Sequence, residues 1–395
     1  HEGKIRGSTN KKITNILNIG IGGSELGSTM TVKALRSYWK GNLNYYSVSN
    51  GDQSEINCVL KKIKLDETLF LICSKSFNTI ETKNNATIAK EALEVNFGKR
   101  AINKHFLGVS SSREGMANFG IHKDKQFYIS DWVGGRFSIT SAMGLPLACM
   151  IGMDNFYRFL DGARLMDMHF KNVSFDLNMP VILAMLSIYY TNFHNVQSQA
   201  IICYGDRLTH FTDFVRQLHM ESLGKRTKID GSPVNVNTGN VIWGGSGSDG
   251  QHSYFQLLHQ GSYTIPIDFI VDAGVSDDQM DTYSLANCLA QSESLMAGMQ
   301  EADPERSIDG DKPNNVILVN KLSPQSIGQL VALYEHKVFV QSIIYGINAF
   351  DQYGVELGKK IAQSLSKVIS KSSRYTGKNP STRALLSKIR EYKKG

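Results

Sequence analysis

The feature of this sequence that most limits its fold is a regular alternation of short apolar runs with longer helical patterns. Runs typical of buried strands lie at residues 15–21, 43–49, 68–74, 105–110 and 126–130. The pattern returns at residues 200–204, 240–243, 265–271 and 315–319. Because a helix between two strands returns the chain to the same edge of a sheet, this alternation predicts βαβ units and parallel sheets.

The two groups of strands predict an α/β fold with two domains, each a three-layer αβα sandwich around a parallel sheet. We expect a first, smaller domain over residues 1–152 and a second, larger domain over residues 153–395. Long helices are predicted near residues 178–195, 325–347 and 355–370, so the larger domain carries the C-terminal helices.

Composition excludes several classes of protein. The 395 residues are 41% hydrophobic and 20% charged, which suits full cores and excludes a disordered chain. The net charge of +7 suits a small anionic ligand, but no basic block alternates with aromatic residues, so no nucleic-acid partner is expected. The five cysteines are widely spaced and form no C-x-x-C pair, which predicts no zinc site and a reducing, cytoplasmic location. The longest apolar run, near residues 180–190, is too short to span a membrane.

Glycines follow the first predicted strand, in the run Gly20-Ile-Gly-Gly-Ser24. Glu25 occupies the place of the third glycine of a dinucleotide fingerprint, and no lysine follows Gly27 as a Walker loop would require. The turn can let backbone amides and the Ser24 hydroxyl approach a ligand, or it can be a tight strand-to-helix connection. This segment alone leaves both readings open.

The third strand is followed by hydroxyl groups at the start of a helix. The residues that gather there are Ser74, Lys75, Ser76 and Thr79. Asn78 and Glu81 have the spacing of a helix N-cap and its reciprocal partner. Because a helix N-terminus with free N–H groups attracts anions, and a structural cap would need only one hydroxyl, this turn predicts a phosphate site.

An arginine follows two glycines after the fifth strand, at Arg136. The glycines Gly134 and Gly135 allow the backbone to turn and direct the guanidinium group into a site. The alternative is a structural ion pair between Arg136 and Asp131, and the segment does not decide between them.

A glutamate extends the apolar side of a helix in the second half of the chain. Apolar residues at positions 211, 214, 215 and 218 form a helical stripe, and Glu221 continues it by one turn. Gly224 is expected to end this helix. We therefore expect a partly buried carboxylate that can act as a base, whereas a surface pair with Lys225 or Arg226 is the alternative.

Two further basic residues have weaker support. His252 is predicted in the first turn of a short helix that ends at Gly261, where it can exchange a proton. Lys359 flanks the apolar stripe of another helix, as a surface lysine often does. Taken alone, both residues fit structural roles better than catalytic ones.

Together, these segments resemble the glucose-6-phosphate isomerase (phosphoglucose isomerase) family over about residues 13–360. The most specific matches are residues 131–136, Asp-Trp-Val-Gly-Gly-Arg, and residues 354–359, Gly-Val-Glu-Leu-Gly-Lys. Residues 20–24, 74–76, 220–222 and 250–252 agree as well. The resemblance implies two sugar-isomerase (SIS) domains, and a homodimer whose active sites use residues from both subunits. It also implies conversion between glucose 6-phosphate and fructose 6-phosphate without a metal or an organic cofactor.

The resemblance also assigns roles to individual residues. Glu221 would move the proton between C1 and C2 of the sugar, and Arg136 would stabilise the enediolate. His252 of the second subunit would open the sugar ring with the help of Lys359. The residues that would bind the substrate or its phosphate are Ser24, Ser74, Lys75 (through its backbone), Ser76, Thr79, Gln217 and Gln352.

Some positions depart from the family pattern. Leu218, His219 and Leu223 stand where the family often has Gly, Asp and Asn. The chain opens at His1 without an initiator Met, so we expect that the family's N-terminal region is missing from this sequence. Two rival functions remain at this stage: a non-catalytic SIS regulator that binds sugar phosphates, and a nicotinamide dehydrogenase suggested only by the glycine turn.

Overall fold

Two parallel β-sheets form the centre of the fold. The structure is a computed structural model and describes residues 3–274, 279–371, 375–377 and 379–393. The first sheet consists of β1 (Asn15–Ile19), β2 (Asn44–Val48), β3 (Thr68–Cys73), β4 (Phe106–Ser110) and β5 (Gln126–Tyr128). Its strands run parallel in the order β2-β1-β3-β4-β5.

The second sheet has the same parallel character. It consists of β6 (Ser198–Tyr204), β7 (Val241–Ser246), β8 (Ile267–Asp272) and β9 (Asn314–Val319), in the order β7-β6-β8-β9. β6 and β8 are buried along nearly their whole length, because helices cover both faces of a parallel sheet. The predicted α/β class with two parallel sheets is confirmed.

Helices connect the strands and cover the sheets. In the first half they are α1 (Leu26–Ala34), α2 (Gln53–Lys62), α3 (Ile80–Phe97), α4 (Ile102–His105), α5 (Arg113–Phe119), α6 (Leu145–Ile151), α7 (Met153–Asn172) and α8 (Met179–Phe193). They continue as α9 (Phe211–Leu223), α10 (Gly247–Gln251), α11 (Phe255–Gln260), α12 (Gln279–Ala297), α13 (Pro324–Tyr345), α14 (Glu356–Lys371) and α15 (Pro380–Tyr392). No described helix has both the length and the apolar character that a membrane crossing requires.

Helix α9 shows how the sequence pattern becomes packing. Its residues Phe211, Phe214, Val215 and Leu218 are all buried in one apolar cluster, as the helical stripe predicts. That burial fixes the rotation of α9 about its axis, and with it the direction of Glu221 at the end of the helix.

The chain divides into two compact units. Residues 1–349 contain both sheets and helices α1 to α13, whereas residues 350–395 contain α14 and α15. The division into domains at residue 152 stays a prediction.

Candidate active site

The candidate site lies where β1 and β3 end and the glycine turn begins. Ile19 of β1 is paired with Ile72 of β3, so the segments that follow these strands leave the same edge of the sheet. A Cβ atom added to Gly20 would lie 2.9 Å from the carbonyl oxygen of Cys73, so the two segments are in close contact. Ser24 is buried at the end of the glycine turn.

The glycine turn also packs against the loop that carries Arg136. A Cβ atom on Gly23 would lie 2.2 Å from the carbonyl carbon of Gly135 and 2.5 Å from the backbone nitrogen of Arg136. Only a residue without a side chain allows this approach. The glycines therefore set how close the two loops come, which is a structural reason for a glycine at position 23.

Arg136 is the buried centre of the site. The side chain is 2% exposed, and its Nη1 donates to Oε2 of Glu221 at 2.8 Å. Its Nε donates to the Ser222 hydroxyl at 2.6 Å, and its Nη2 donates to the carbonyl oxygen of Ala349. Asp131 is exposed, so the ion pair between Arg136 and Asp131 that the sequence left open is not formed.

Glu221 lies in the last turn of α9, directly beside Arg136. Its side chain is 26% exposed, so the carboxylate is neither sealed in the core nor fully in solvent. The Gln217 side-chain amide donates to the same oxygen, Oε2, at 3.2 Å. The ammonium group of Lys225 donates instead to the carbonyl oxygens of Ser222 and Asn348, both at 2.9 Å. The alternative prediction of a surface ion pair between Glu221 and Lys225 is therefore wrong.

The predicted phosphate turn precedes α3. Thr79 is the residue at the N-cap, and its side chain makes no capping hydrogen bond. The prediction of Asn78 as the N-cap is therefore wrong, because the helix begins one residue later. Ser74 is buried, Ser76 is exposed, and the hydroxyls of Ser74 and Thr79 are 3.5 Å apart. A helix N-terminus that lacks a side-chain cap keeps N–H groups available for an anion.

The backbone of this turn is held by the end of β4. The carbonyl oxygen of Lys75 accepts hydrogen bonds from the Ser110 hydroxyl at 2.8 Å and from the Ser111 hydroxyl and backbone N–H, both at 2.9 Å. Because C=O and N–H point in opposite directions across a trans peptide, the N–H of Ser76 faces away from β4. The turn thus has a fixed shape before any ligand binds.

Comparison with known proteins places these features in a family. Residues 1–386 match the family model of phosphoglucose isomerase. The chain belongs to the phosphoglucose isomerase family. A glucose-6-phosphate isomerase of Pseudomonas fluorescens is 44% identical over 419 aligned residues, which cover 100% of this chain and 75% of that protein. One of Beijerinckia indica is 41% identical over 416 aligned residues, covering 100% of this chain and 76% of that protein.

A solved structure agrees with this assignment. The crystal structure of a glucose-6-phosphate isomerase from Chlamydia trachomatis matches with a TM-score of 0.87 and 33% identity. The match covers 96% of this chain and 74% of that chain. The family that the sequence motifs predict is confirmed, and the chain is an enzyme of the phosphoglucose isomerase family.

His252 of this member of the phosphoglucose isomerase family lines a cavity whose described lining residues include neither Arg136 nor Glu221. It follows the last residue of α10 as the C-cap, so the prediction of a first-turn position is wrong. The cause is a break between α10 and α11, because Ser246 caps an earlier, separate helix. His252 is exposed and lines a cavity of about 790 Å³ together with His259.

Gln352 and Lys359 belong to the second compact unit. Gln352 is exposed and precedes a single 3-10 turn, Tyr353–Val355. Lys359 is exposed in the first turn of α14. Their roles at the site remain predictions.

The sequence analysis assigns no role to several residues that hold the site in place. Ser222 and Ala349 hold Arg136, and Ser110 and Ser111 hold the phosphate turn. A run of three serines that begins at the last residue of β4 is the signal that could have pointed to Ser110 and Ser111. Among the residues that the structure describes, no group of three or more His, Cys, Asp or Glu side chains could hold a metal ion.

Proposed function

We propose that this member of the phosphoglucose isomerase family interconverts glucose 6-phosphate and fructose 6-phosphate through an enediolate, as part of glycolysis and gluconeogenesis in the cytoplasm. The observation that carries the proposal is the contact of 2.8 Å between Glu221 and Arg136, which puts a carboxylate base beside a buried cation. Moving a proton between neighbouring sugar carbons needs both groups at one place.

Glu221 is the proton carrier of the proposed reaction. From the open-chain aldose, the carboxylate takes the proton on C2, and the electrons of that C–H bond form the double bond of the enediolate. The negative charge that develops on the O1 oxygen is stabilised by Arg136. The hydroxyl proton of O2 moves to O1, and Glu221 returns its proton to C1 while the C2–O2 bond becomes the ketone carbonyl, which gives the ketose. Since Arg136 and Gln217 both donate to Oε2, we assign the proton to Oε1.

The turn before α3 anchors the substrate. Ser74, Ser76 and Thr79 supply hydroxyl donors, while the backbone of Lys75 is already fixed by the end of β4. We assign Ser24, which is buried at the neighbouring glycine turn, to the same phosphate. Binding the phosphate far from the reacting carbons orients C1 and C2 over the base, which lowers the entropic part of the barrier.

Ring opening completes the proposal. We assign it to His252 from the second subunit of a homodimer, assisted by Lys359, with Gln352 contacting the sugar. His252 is exposed, and the described lining of its cavity includes neither Arg136 nor Glu221, which fits a group that serves the site of another copy.

The decisive experiment measures turnover in Glu221→Gln. Fructose 6-phosphate is supplied, and the glucose 6-phosphate formed is oxidised by an added dehydrogenase whose NADPH is followed by absorbance. Because a general base contributes roughly 10²- to 10⁴-fold, we expect turnover to fall by that factor. Affinity for a five-carbon sugar-acid phosphate should stay nearly unchanged.

The matched control is Asp213→Asn, which removes a carboxylate from the same helix. This carboxylate forms an ion pair with Arg216 and is not one of the proposed site residues. The control variant should keep wild-type turnover. Wild-type turnover in Glu221→Gln would remove Glu221 from its role. A wild-type chain that binds the phosphate ligand without converting the substrate would instead be a non-catalytic SIS regulator.

A second experiment concerns ring opening. His252→Ala should lose more activity on the ring-closed substrate than on an open-chain analogue, because only the ring-closed form needs a proton on the ring oxygen. Equal losses on both substrates would contradict the assignment of His252.

A further inference from the structure

Arg136 must be held in one orientation to serve the proposed reaction. An arginine side chain is long, and fixing it costs rotamer entropy. The guanidinium group is planar, so both its position and its tilt must be right for a charge that develops on a sugar oxygen. The groups that fix the plane are therefore as important as the charge itself.

Two neutral acceptors fix one edge of the guanidinium plane. Nε donates to the Ser222 hydroxyl at 2.6 Å, and Nη2, on the same edge, donates to the Ala349 carbonyl oxygen. Nη1, on the other side, is thereby directed at Glu221 at 2.8 Å. Of the two neutral acceptors, only that of Ser222 is a side chain.

Ser222 is placed to act through Arg136 rather than on the substrate. It is fully buried, with 0% of its surface exposed. It also follows Glu221 directly on α9, so a single helical turn supplies both the base and the group that orients the cation. A shift of Arg136 relative to this turn changes its distance to both residues at once.

We propose that Ser222 is a positioning residue of the isomerase reaction, which holds the guanidinium plane of Arg136 against the Glu221 carboxylate. This inference rests on the proposed function, because it gives the Arg136–Glu221 pair its reason to be fixed. Removing the hydroxyl leaves the charged Nε–H buried without its acceptor, which favours a rotated arginine.

The test compares Ser222→Ala with Ser222→Cys. Cysteine has nearly the shape of serine but is a weak acceptor, so it fills the space without holding the arginine. We expect kcat to fall roughly 10- to 100-fold in both variants, because losing a hydrogen bond to a charged group raises the barrier by an energy that corresponds to a rate change of that size. KM should change by less than about threefold, because the phosphate turn is untouched.

Two further variants separate positioning from packing. Ser222→Thr keeps the hydroxyl and should recover part of the lost kcat. Ser187→Ala is the matched control: Ser187 is also a buried helical serine, and its hydroxyl has no hydrogen-bond partner among the described residues. It should keep wild-type kcat and KM.

A spectroscopic measurement does not depend on turnover. In protein with ¹⁵N-labelled arginine, the Nε–H signal of Arg136, assigned by its loss in Arg136→Lys, should exchange slowly with solvent. That protection should disappear in Ser222→Cys, with the thermal unfolding temperature showing that the variant is folded.

The outcomes separate this inference from the proposed function. A wild-type chain without turnover would reject the isomerase function, while the Nε–H signal would still report whether Ser222 holds Arg136. Wild-type kcat or an unchanged Nε–H signal in Ser222→Cys would overturn the positioning role alone. A rise in KM with constant kcat would also overturn the positioning role, because it would show that Ser222 stabilises the bound substrate and the transition state equally.

Discussion

The histidine two residues before the candidate base makes the stability of this protein depend on pH. His219 is 1% exposed, and both of its ring nitrogens lack a hydrogen-bond partner among the described residues. Burial, and after it the positive charge of Lys337, lowers the pKa of His219 to about 3. The ordinary value is 6.5, so the folded protein keeps this imidazole neutral at pH values where the unfolded chain protonates it.

The size of the effect follows from the two pKa values. Below pH 6.5 the unfolded state binds a proton that the folded state does not, so stability falls as the pH falls. At about 1.36 kcal/mol per pH unit, the loss between pH 7 and pH 5 is about 2 kcal/mol. It reaches about 4 kcal/mol near pH 3, where the folded state binds the proton as well.

The assay is thermal unfolding of the wild type, His219→Gln and His219→Leu at pH 7 and pH 5. Unfolding entropy of about 2.1 cal/mol/K per residue over a cooperative unit of 349 residues converts 2 kcal/mol into a shift of about 3 °C. When the pH is lowered from 7 to 5, the unfolding temperature of the wild type should fall by this amount more than that of either variant. If the polar and the apolar variant show the same dependence of unfolding temperature on pH, the effect comes from titration of His219 and not from its packing. An equal fall in unfolding temperature in all three proteins would refute the reasoning.

Three further changes test the supports of the site. Gly23→Ala should lower kcat/KM by about 10²-fold or more, because the Cβ atom of the alanine would lie 2.2 Å from the carbonyl carbon of Gly135 and displace the loop that carries Arg136. Wild-type kinetics in this variant would contradict the prediction. Ser110→Ala should raise KM for the phosphorylated substrate by several-fold with little change in kcat, since the Lys75 carbonyl oxygen loses the hydrogen bond that the Ser110 hydroxyl donates to it. Steady-state kinetics decide. Lys337→Met should destabilise the fold by about 3–5 kcal/mol, because the buried Asp268 carboxylate 3.3 Å away loses the positive charge that faces it and keeps only neutral hydrogen-bond donors. Denaturant unfolding measures the loss.

The strands and the face of α9 could be predicted because both follow from local periodicity. A continuous apolar run can be buried on both faces of a sheet, as in β3, where all six residues are buried. The stripe that ends at Leu218 fixes the direction of Glu221 in the same way. These patterns depend on residues close together in the chain.

Helix ends were harder to predict, because several residues compete for each cap. Asn78 has a good capping side chain, yet α3 begins after Thr79 and leaves its N-terminus without a side-chain cap. His252 follows a helix instead of starting one, since Ser246 provides an earlier cap. In both cases the spacing of the residues is compatible with two positions of the helix end, so the sequence alone does not choose between them.

The groups that hold Arg136 could not be predicted from spacing, because they lie far away in the chain. Ser222 is 86 residues from Arg136, and Ala349 is 213 residues away. Arg136 lies before the predicted domain boundary at residue 152, whereas both of these acceptors and Glu221 lie after it. A fragment that ends at this boundary would therefore keep the glycine turn and the phosphate turn but lose every one of these contacts. The Arg136–Glu221 pair exists only when both halves of the chain fold together, so the proposed phosphate binding and the proposed proton transfer depend on different lengths of the sequence.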